Sequence, residues 1–183
     1  MTALPPGSTI GILGGGQLGR MLTMAAARLG LRCHVYSDHR GPAFDVAAAM
    51  TLGEFEDLPK IEAFARSVDA VTYEFENVPV ACAEAAARHA PVRPGAKALE
   101  VAQDRLAEKR FISSLGIGVA PFAAVDTASD LAAALATLGT PAILKTRRLG
   151  YDGKGQARIA DASAALWALE TIGHAPAVLE GFV

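Results

Sequence analysis

The sequence predicts an α/β protein of two units: a parallel-sheet unit over residues 1–100, then a smaller α+β unit over residues 101–183. Three observations predict it. Strand-like apolar runs alternate with helical segments through the first half, the pattern of a parallel sheet with helices on both faces. The stretch HAPVRPGAKALE, residues 89–100, interrupts that alternation with Pro91, Pro94 and Gly95 and marks the boundary between the units. Beyond it, strands are joined by a glycine loop instead of helices, which argues for an antiparallel hairpin.

The elements follow in order. TIGIL, residues 9–13, is a short apolar strand. Residues 17–29 form a helix, because Leu18, Leu22, Ala25 and Leu29 recur on one face, and Gly30 stops it. Strands are expected at 32–36 and 47–52, a helix at 57–67, a strand rich in β-formers at 70–75 and an alanine-rich helix at 80–89. After the boundary, residues 104–115 form a helix with Ala107, Phe111 and Leu115 on one face, capped by Asp104 or Gln103. Then come a strand at 122–125, a helix at 129–138 capped by Ser129, and a strand at 141–146. The loop RRLGYDGKG leads to a strand at 156–159, a helix at 163–172 and one more strand from 177 to 180. The chain stops as that last strand leaves the core, so a piece of a longer protein is expected.

Apolar residues make up 51% of the chain and charged ones 20%, enough to build a packed core and too ordered a mixture for a disordered segment. The net charge of -2 gives no basic excess, so neither nucleic acid nor an anionic membrane is expected as partner. No run approaches the ~18 apolar residues of a membrane span, and no signal peptide is evident. Cys33 and Cys82 sit in no C-x-x-C pair and read as reduced thiols of a cytoplasmic protein. His34, His39, His89 and His174 are scattered, without metal-ligand spacing.

Four stretches carry chemistry. In GILGGGQLGRM, Gly14, Gly16 and Gly19 match G-x-G-x-x-G between a strand and a helix, and Asp38 follows 19 residues after Gly19. Glycines permit a tight turn, and the helix start offers unpaired N–H groups and a favourable dipole to an anion. The pattern leaves open a dinucleotide, the phosphate of another molecule, or a turn that merely packs helix on strand. In AILKTRRLGYDGKGQ, Lys145 ends a strand, while Gly150, Gly153 and Gly155 punctuate a loop that carries Arg147, Arg148 and Lys154. A glycine loop bearing cations between two strands suits a phosphate cover; it is no Walker A loop. In VTYEFENVP, Glu74, Glu76 and Asn77 cluster at a strand's carboxyl end, where open α/β sheets place their ligand crevice. By alternation Glu74 and Glu76 share one side, Tyr73 and Phe75 the other. The fourth stretch, VLEGFV, offers Glu180 near a strand end.

Together GILGGGQLGRM, TYEFENVP, QDRLAEKRF, ILKTRRLGYDGKGQ and VLEGFV resemble the 5-(carboxyamino)imidazole ribonucleotide synthase family of ATP-grasp enzymes, from about residue 8 to residue 183. The related formate-dependent transformylases of glycinamide ribonucleotide differ, with Glu where this chain has Gln17 and a Ser-rich glycine loop. The resemblance implies a Rossmann-like pre-ATP-grasp domain that binds substrate (1–100), then a linker helix and a first, incomplete ATP-grasp subdomain (101–183). It implies ATP-dependent carboxylation of 5-aminoimidazole ribonucleotide by bicarbonate through carboxyphosphate, with Mg²⁺ as cofactor, in a cytoplasmic homodimer.

Residue by residue, the resemblance implies that Arg105 and Lys145 touch ATP phosphates. Gly150, Tyr151, Asp152, Gly153, Lys154, Gly155 and Gln156 form the loop closing over them. Glu180, Gly181, Phe182 and Val183 form the hinge that reads adenine. Gly16, Gln17 and Leu18 hold the ribonucleotide phosphate, and Glu76 and Asn77 contact the ribose or amine region. Tyr151, Asp152 and Lys154 are the expected catalytic residues: Asp152 manages the amine's proton and Lys154 steadies the carboxyphosphate. The Mg²⁺ carboxylates are expected beyond residue 183, so this chain alone is not expected to complete the reaction. Two other readings stand beside it: an NAD-dependent oxidoreductase or nucleotide-sensing module, which uses Gly14–Gly19 and Asp38 but leaves GYDGKGQ unexplained, and a non-catalytic nucleotide-binding fragment.

Overall fold

A computed structural model describes residues 3–150 and 153–183. The chain divides into two compact units, Met1–Glu100 and Val101–Val183. Among the described residues each carries one four-stranded sheet, the first parallel and the second antiparallel.

The first unit runs β1 (Thr9–Leu13), α1 (Gln17–Arg28), β2 (Arg32–Ser37), a 3₁₀ turn (Pro42–Asp45), β3 (Ala49–Leu52), α2 (Leu58–Arg66), β4 (Ala70–Tyr73), α3 (Val80–Ala87) and α4 (Ala96–Ala102). Its strands lie in the order β3-β2-β1-β4. β1 is central, so both of its faces are covered: Ile12, opposite Val35, packs with Ala26 and Phe44, and Leu13, opposite Tyr36, packs with Ile61, Phe64 and Val71.

Two expectations for this unit are corrected. The face of α1 carrying Leu18, Leu22, Ala25 and Leu29 is solvent-exposed, and Gly19, Thr23 and Ala26 are buried instead. Small residues let the helix approach the glycine turn closely: a Cβ on Gly19 would stand 3.1 Å from the Gly14 carbonyl oxygen and 3.2 Å from Ala43. β4 ends at Tyr73 and β3 begins only at Ala49, so alternation does not govern Glu74 and Glu76. α4 begins within residues 89–100 and runs to Ala102; its Ala98 and Leu99 amides both donate to the Gly95 carbonyl, and Leu99 anchors it in the core.

The second unit runs α5 (Arg105–Ser114), β5 (Phe122–Val125), α6 (Ala128–Leu138), β6 (Ala142–Thr146), β7 (Gln156–Ile159), a 3₁₀ turn (Ala162–Ala164), α7 (Ala165–Thr171) and β8 (Ala177–Gly181). The strand order is β5-β8-β6-β7. β6 and β7 form the expected hairpin. β8, expected to leave the core, is an interior strand paired with β5 and β6, and its first four residues are buried. Leu131, Leu135, Leu144, Ile159, Leu169 and Leu179 fill the core between the sheet and helices α6 and α7.

Helix starts follow side-chain chemistry. Asp104 caps α5, accepting from the amides of Leu106 and Ala107. α6 is capped by Thr127, not Ser129: Thr127 Oγ1 accepts from the Asp130 amide while the Asp130 carboxylate accepts from the Thr127 amide, a reciprocal capping box. On α5, Leu106 is buried, whereas Phe111 and Leu115 are exposed.

Candidate functional site

The glycine turn after β1 is built for close approach. Gly14 has φ +113°, and a Cβ there would stand 2.8 Å from the Glu74 side chain. The reason is Glu74 itself. Once β4 has ended, its carboxylate swings over the turn and accepts a 2.6 Å hydrogen bond from the Gly16 amide. Gly16 is the N-cap of α1 and has no side chain to cap it; the first turn carries no acid. Glu74, just past the end of the neighbouring strand β4, supplies the negative charge that this helix start attracts. A phosphate arriving at the Gly16 amide must displace it.

A cavity of about 240 Å³ opens beside the turn, lined by Gly14–Gly16, Ser37, Asp38, His39, Phe55, Glu74 and Phe75. The sequence-derived candidates divide here. Gly16 and Asp38 line the cavity, and Asp38 contacts His39 at 2.6 Å. Gln17 and Leu18 lie on the exposed side of α1, and Glu76 and Asn77, which contact each other at 3.3 Å, are not among the lining residues.

The second unit gathers cations. Lys145 pairs with Val178 across β6 and β8, which leaves Glu180 two residues along on the same face. Long side chains span that diagonal: Lys145 Nζ donates to Glu180 Oε2 at 3.0 Å. Lys109, reaching in from α5, contacts the same oxygen at 3.3 Å. Glu180 is buried, and a buried carboxylate needs such partners. The cluster holds two cations and one anion, a surplus positive charge suited to an incoming polyanion.

The glycine loop is fastened beside this cluster. Arg105 Nη1 donates to the Thr146 carbonyl and Nη2 to the Gly150 carbonyl, both at 2.7 Å. The Thr146 amide donates to the Gly155 carbonyl at 2.8 Å and closes the loop's base. Gly155 has φ +68°, and a Cβ there would stand 2.5 Å from Thr146 Oγ1; one on Gly150 would stand 2.6 Å from Arg105 Nη1. These two glycines let the loop lie against Thr146 and Arg105.

The basic residues at the loop's entrance have partners of their own. Arg147 bonds the Ala177 carbonyl and Asp126, and Arg148 bonds Gln103. A cavity of about 530 Å³ lies at the loop's base between Thr146–Leu149, Gly155, Asp104 and Pro176. Lys154 is exposed, and Gln156 begins β7. At the end of β8, the amides of Gly181 and Phe182 donate to the carbonyls of Pro121 and Pro141. Phe182 stacks on the Arg158 guanidinium at 4.9 Å, and Val183 is exposed. Tyr151 and Asp152 lie outside the described residues. Sequence reasoning passed over Lys109 and the grip of Glu74 on Gly16. Lys109 had a signal, since it stands four residues after Arg105 on the same helix face.

Residues 7–103 match the ribonucleotide synthetase preATP-grasp domain, and residues 110–183 match the ATP-grasp domain. The chain is 51% identical to the N5-carboxyaminoimidazole ribonucleotide synthase of Brucella melitensis, covering all of this chain and 51% of that protein. Its fold is similar to an N5-carboxyaminoimidazole ribonucleotide synthetase in complex with ADP: TM-score 0.92, 37% identity, 98% of this chain and 48% of the other. It is also similar to the Aspergillus clavatus synthase in complex with ADP and 5-aminoimidazole ribonucleotide, at TM-score 0.86 and 28% identity, covering 97% of this chain and 47% of the other. The chain spans about half the length of the relatives it matches.

Proposed function

Because the chain belongs to the ribonucleotide synthetase preATP-grasp family, we propose that the complete protein carboxylates 5-aminoimidazole ribonucleotide at the expense of ATP. The single observation carrying this reading is the β6–β7 hairpin: a glycine loop fastened by Arg105, beside a lysine pair that outnumbers its one carboxylate. The ligands in the relatives' structures, ADP and aminoimidazole ribonucleotide, fit the two chemistries the units offer.

In this reading a bicarbonate oxygen attacks the γ-phosphorus of ATP, breaking its bond to ADP and giving carboxyphosphate. The exocyclic amine of the ribonucleotide then attacks the carboxyl carbon, phosphate leaves, and the amine gives up a proton. Phosphoryl transfer asks of a protein chiefly positioning and charge neutralisation. Arg105 and Lys145 supply these at the ATP phosphates, and the segment Glu180–Val183 holds adenine. Carboxyphosphate hydrolyses readily, so the loop from Gly150 to Gln156 acts as a lid that excludes water. Lys154 steadies the carboxyphosphate, Asp152 accepts the amine's proton, and Tyr151 borders the reacting centre.

The ribonucleotide phosphate docks at the start of α1 through the Gln17 and Leu18 amides, since first-turn amides have no carbonyl partner within their own helix. It shares the Gly16 amide with Glu74 by exchange, and Glu76 and Asn77 face the sugar or amine. We extend the proposal to a cytoplasmic homodimer that uses Mg²⁺. Among the described residues no cluster of three or more His, Cys, Asp or Glu is arranged to hold a metal ion, so no step is assigned to Mg²⁺ on this chain.

The experiment is Asp152→Ala in the complete protein. Turnover is expected to fall by ~10² to 10⁴, the scale of a lost general acid–base group, while ATP affinity measured by calorimetry stays within a few-fold. A variant with full activity contradicts the assignment of Asp152.

A further inference from the structure

We infer that Lys109 is the standing counterion of Glu180, a positioning residue that lets Lys145 leave the carboxylate for the nucleotide phosphates; the inference rests on the ATP-dependent reading above. Both ammonium groups meet the same oxygen, Glu180 Oε2, Lys145 at 3.0 Å and Lys109 at 3.3 Å. The side chain of Glu180 is 11% exposed, that of Lys109 15% and that of Lys145 23%. The two lysines are therefore not equivalent.

Lys109 is enclosed. Phe122 lies directly opposite Glu180 across β5 and β8, and the Lys109 ammonium stands 5.7 Å from the centre of the Phe122 ring. An aromatic face on one side and a carboxylate on the other hold it in place. Lys145 is the more exposed of the pair, and it sits one residue before Thr146, where the glycine loop is tied down. It is the cation placed to turn toward phosphates under that loop.

The chemistry makes two lysines necessary. If Lys145 were the sole partner of Glu180, its move to a phosphate would strand a carboxylate in a nearly dry site, and that penalty would oppose nucleotide binding. With Lys109 in place the carboxylate keeps a cation throughout. Glu180, so neutralised, does not repel the triphosphate, and its backbone stays in register at the hinge.

The test uses the complete protein and three variants, K109M, K109R and the double variant E180Q/K109M, with E180Q as its reference. ADP affinity is measured by calorimetry, and kcat and KM for ATP by ADP release. K109M is expected to weaken ADP binding by about 10- to 100-fold, the scale of one buried charge left unpaired. Its KM for ATP rises in step, while kcat at saturating ATP stays within about three-fold, as for a lost binding contribution. K109R restores affinity to within a few-fold. In the E180Q background the K109M change costs less than about three-fold, because no carboxylate is left to strand. K109M binding ADP as tightly as the parent protein overturns the inference, as does an equal loss with and without the Glu180 carboxylate. Parent protein that binds ADP but is not stimulated by aminoimidazole ribonucleotide contradicts the proposed substrate alone, and the ADP comparison still decides Lys109. Parent protein that binds no ADP overturns both.

Discussion

Thr146 shows how closely the glycine loop is packed. Among the described residues its Oγ1 is a buried hydroxyl with no hydrogen-bond partner, pressed between the positions where Gly150 and Gly155 would carry a Cβ, 3.0 and 2.5 Å away. Replacing such a group by a methyl of similar shape removes a desolvation cost without losing a bond. Thr146→Val is therefore expected to leave the urea unfolding free energy within about 1 kcal/mol of the parent or to raise it; a loss above about 2 kcal/mol would show that the hydroxyl is bonded. Gly155→Ala acts oppositely, because its Cβ meets the hydroxyl and its φ of +68° disfavours a side chain. It is expected to cost about 1–3 kcal/mol in the same assay. Two thiols give a further residue-scale check. Burial raises Cys33, and burial followed by the nearby Glu56 pushes Cys82 up to about 12. Neither is a ready thiolate, so a disulfide reagent at pH 8 is expected to label the folded protein far more slowly than the urea-unfolded chain; fast labelling of both thiols in the folded state contradicts their burial.

The start of helix α6 carries a prediction of its own. Hydrogen bonds from Thr127, first its hydroxyl, and from the backbone of Asp126 and Thr127 hold the Asp130 carboxyl below its ordinary 3.8. A depressed folded pKa stabilises the fold above the unfolded value, and that contribution is lost as pH falls through the folded one. Asp130→Asn is expected to flatten the pH dependence of the melting temperature below about pH 4, and Thr127→Ala to cost about 1 kcal/mol at neutral pH; unchanged melting in both would remove the capping box from the account. Elements were legible in the sequence where the signal was local. β1, the glycine turn and α1 follow from a strand pattern, three spaced glycines and helical periodicity. The β6–β7 hairpin follows from its glycine loop. The buried side of α1 was not legible, because periodicity marks a leucine face while the close approach at Gly19 selects the small-residue face with Thr23 and Ala26. α4 was hidden because Pro94 and Gly95, which signal a boundary, stand at its entrance. The Glu180 pairings were invisible for a different reason, since they join α5, β6 and β8 across the second unit.

On the scale of the whole molecule, neither unit identifies the chemistry by itself. A glycine turn followed by a helix offers an anion site to many ligands, and here the Glu74 carboxylate already takes its first amide. Any phosphate at that amide has to displace the carboxylate beside a cavity of about 240 Å³, so the turn alone does not choose between a dinucleotide and a mononucleotide. The meaning comes from the second unit, whose cation-rich hairpin calls for a polyphosphate, and from the ligase relatives that carry both units in the same order. The central claim is that these parts serve one ATP-dependent carboxylation. Its most direct test is ADP release by the complete protein with ATP and Mg²⁺, measured with and without 5-aminoimidazole ribonucleotide and bicarbonate. The account predicts that release rises when the ribonucleotide is added and that labelled bicarbonate enters the product. No stimulation by the ribonucleotide, in protein shown by calorimetry to bind ATP, would contradict it.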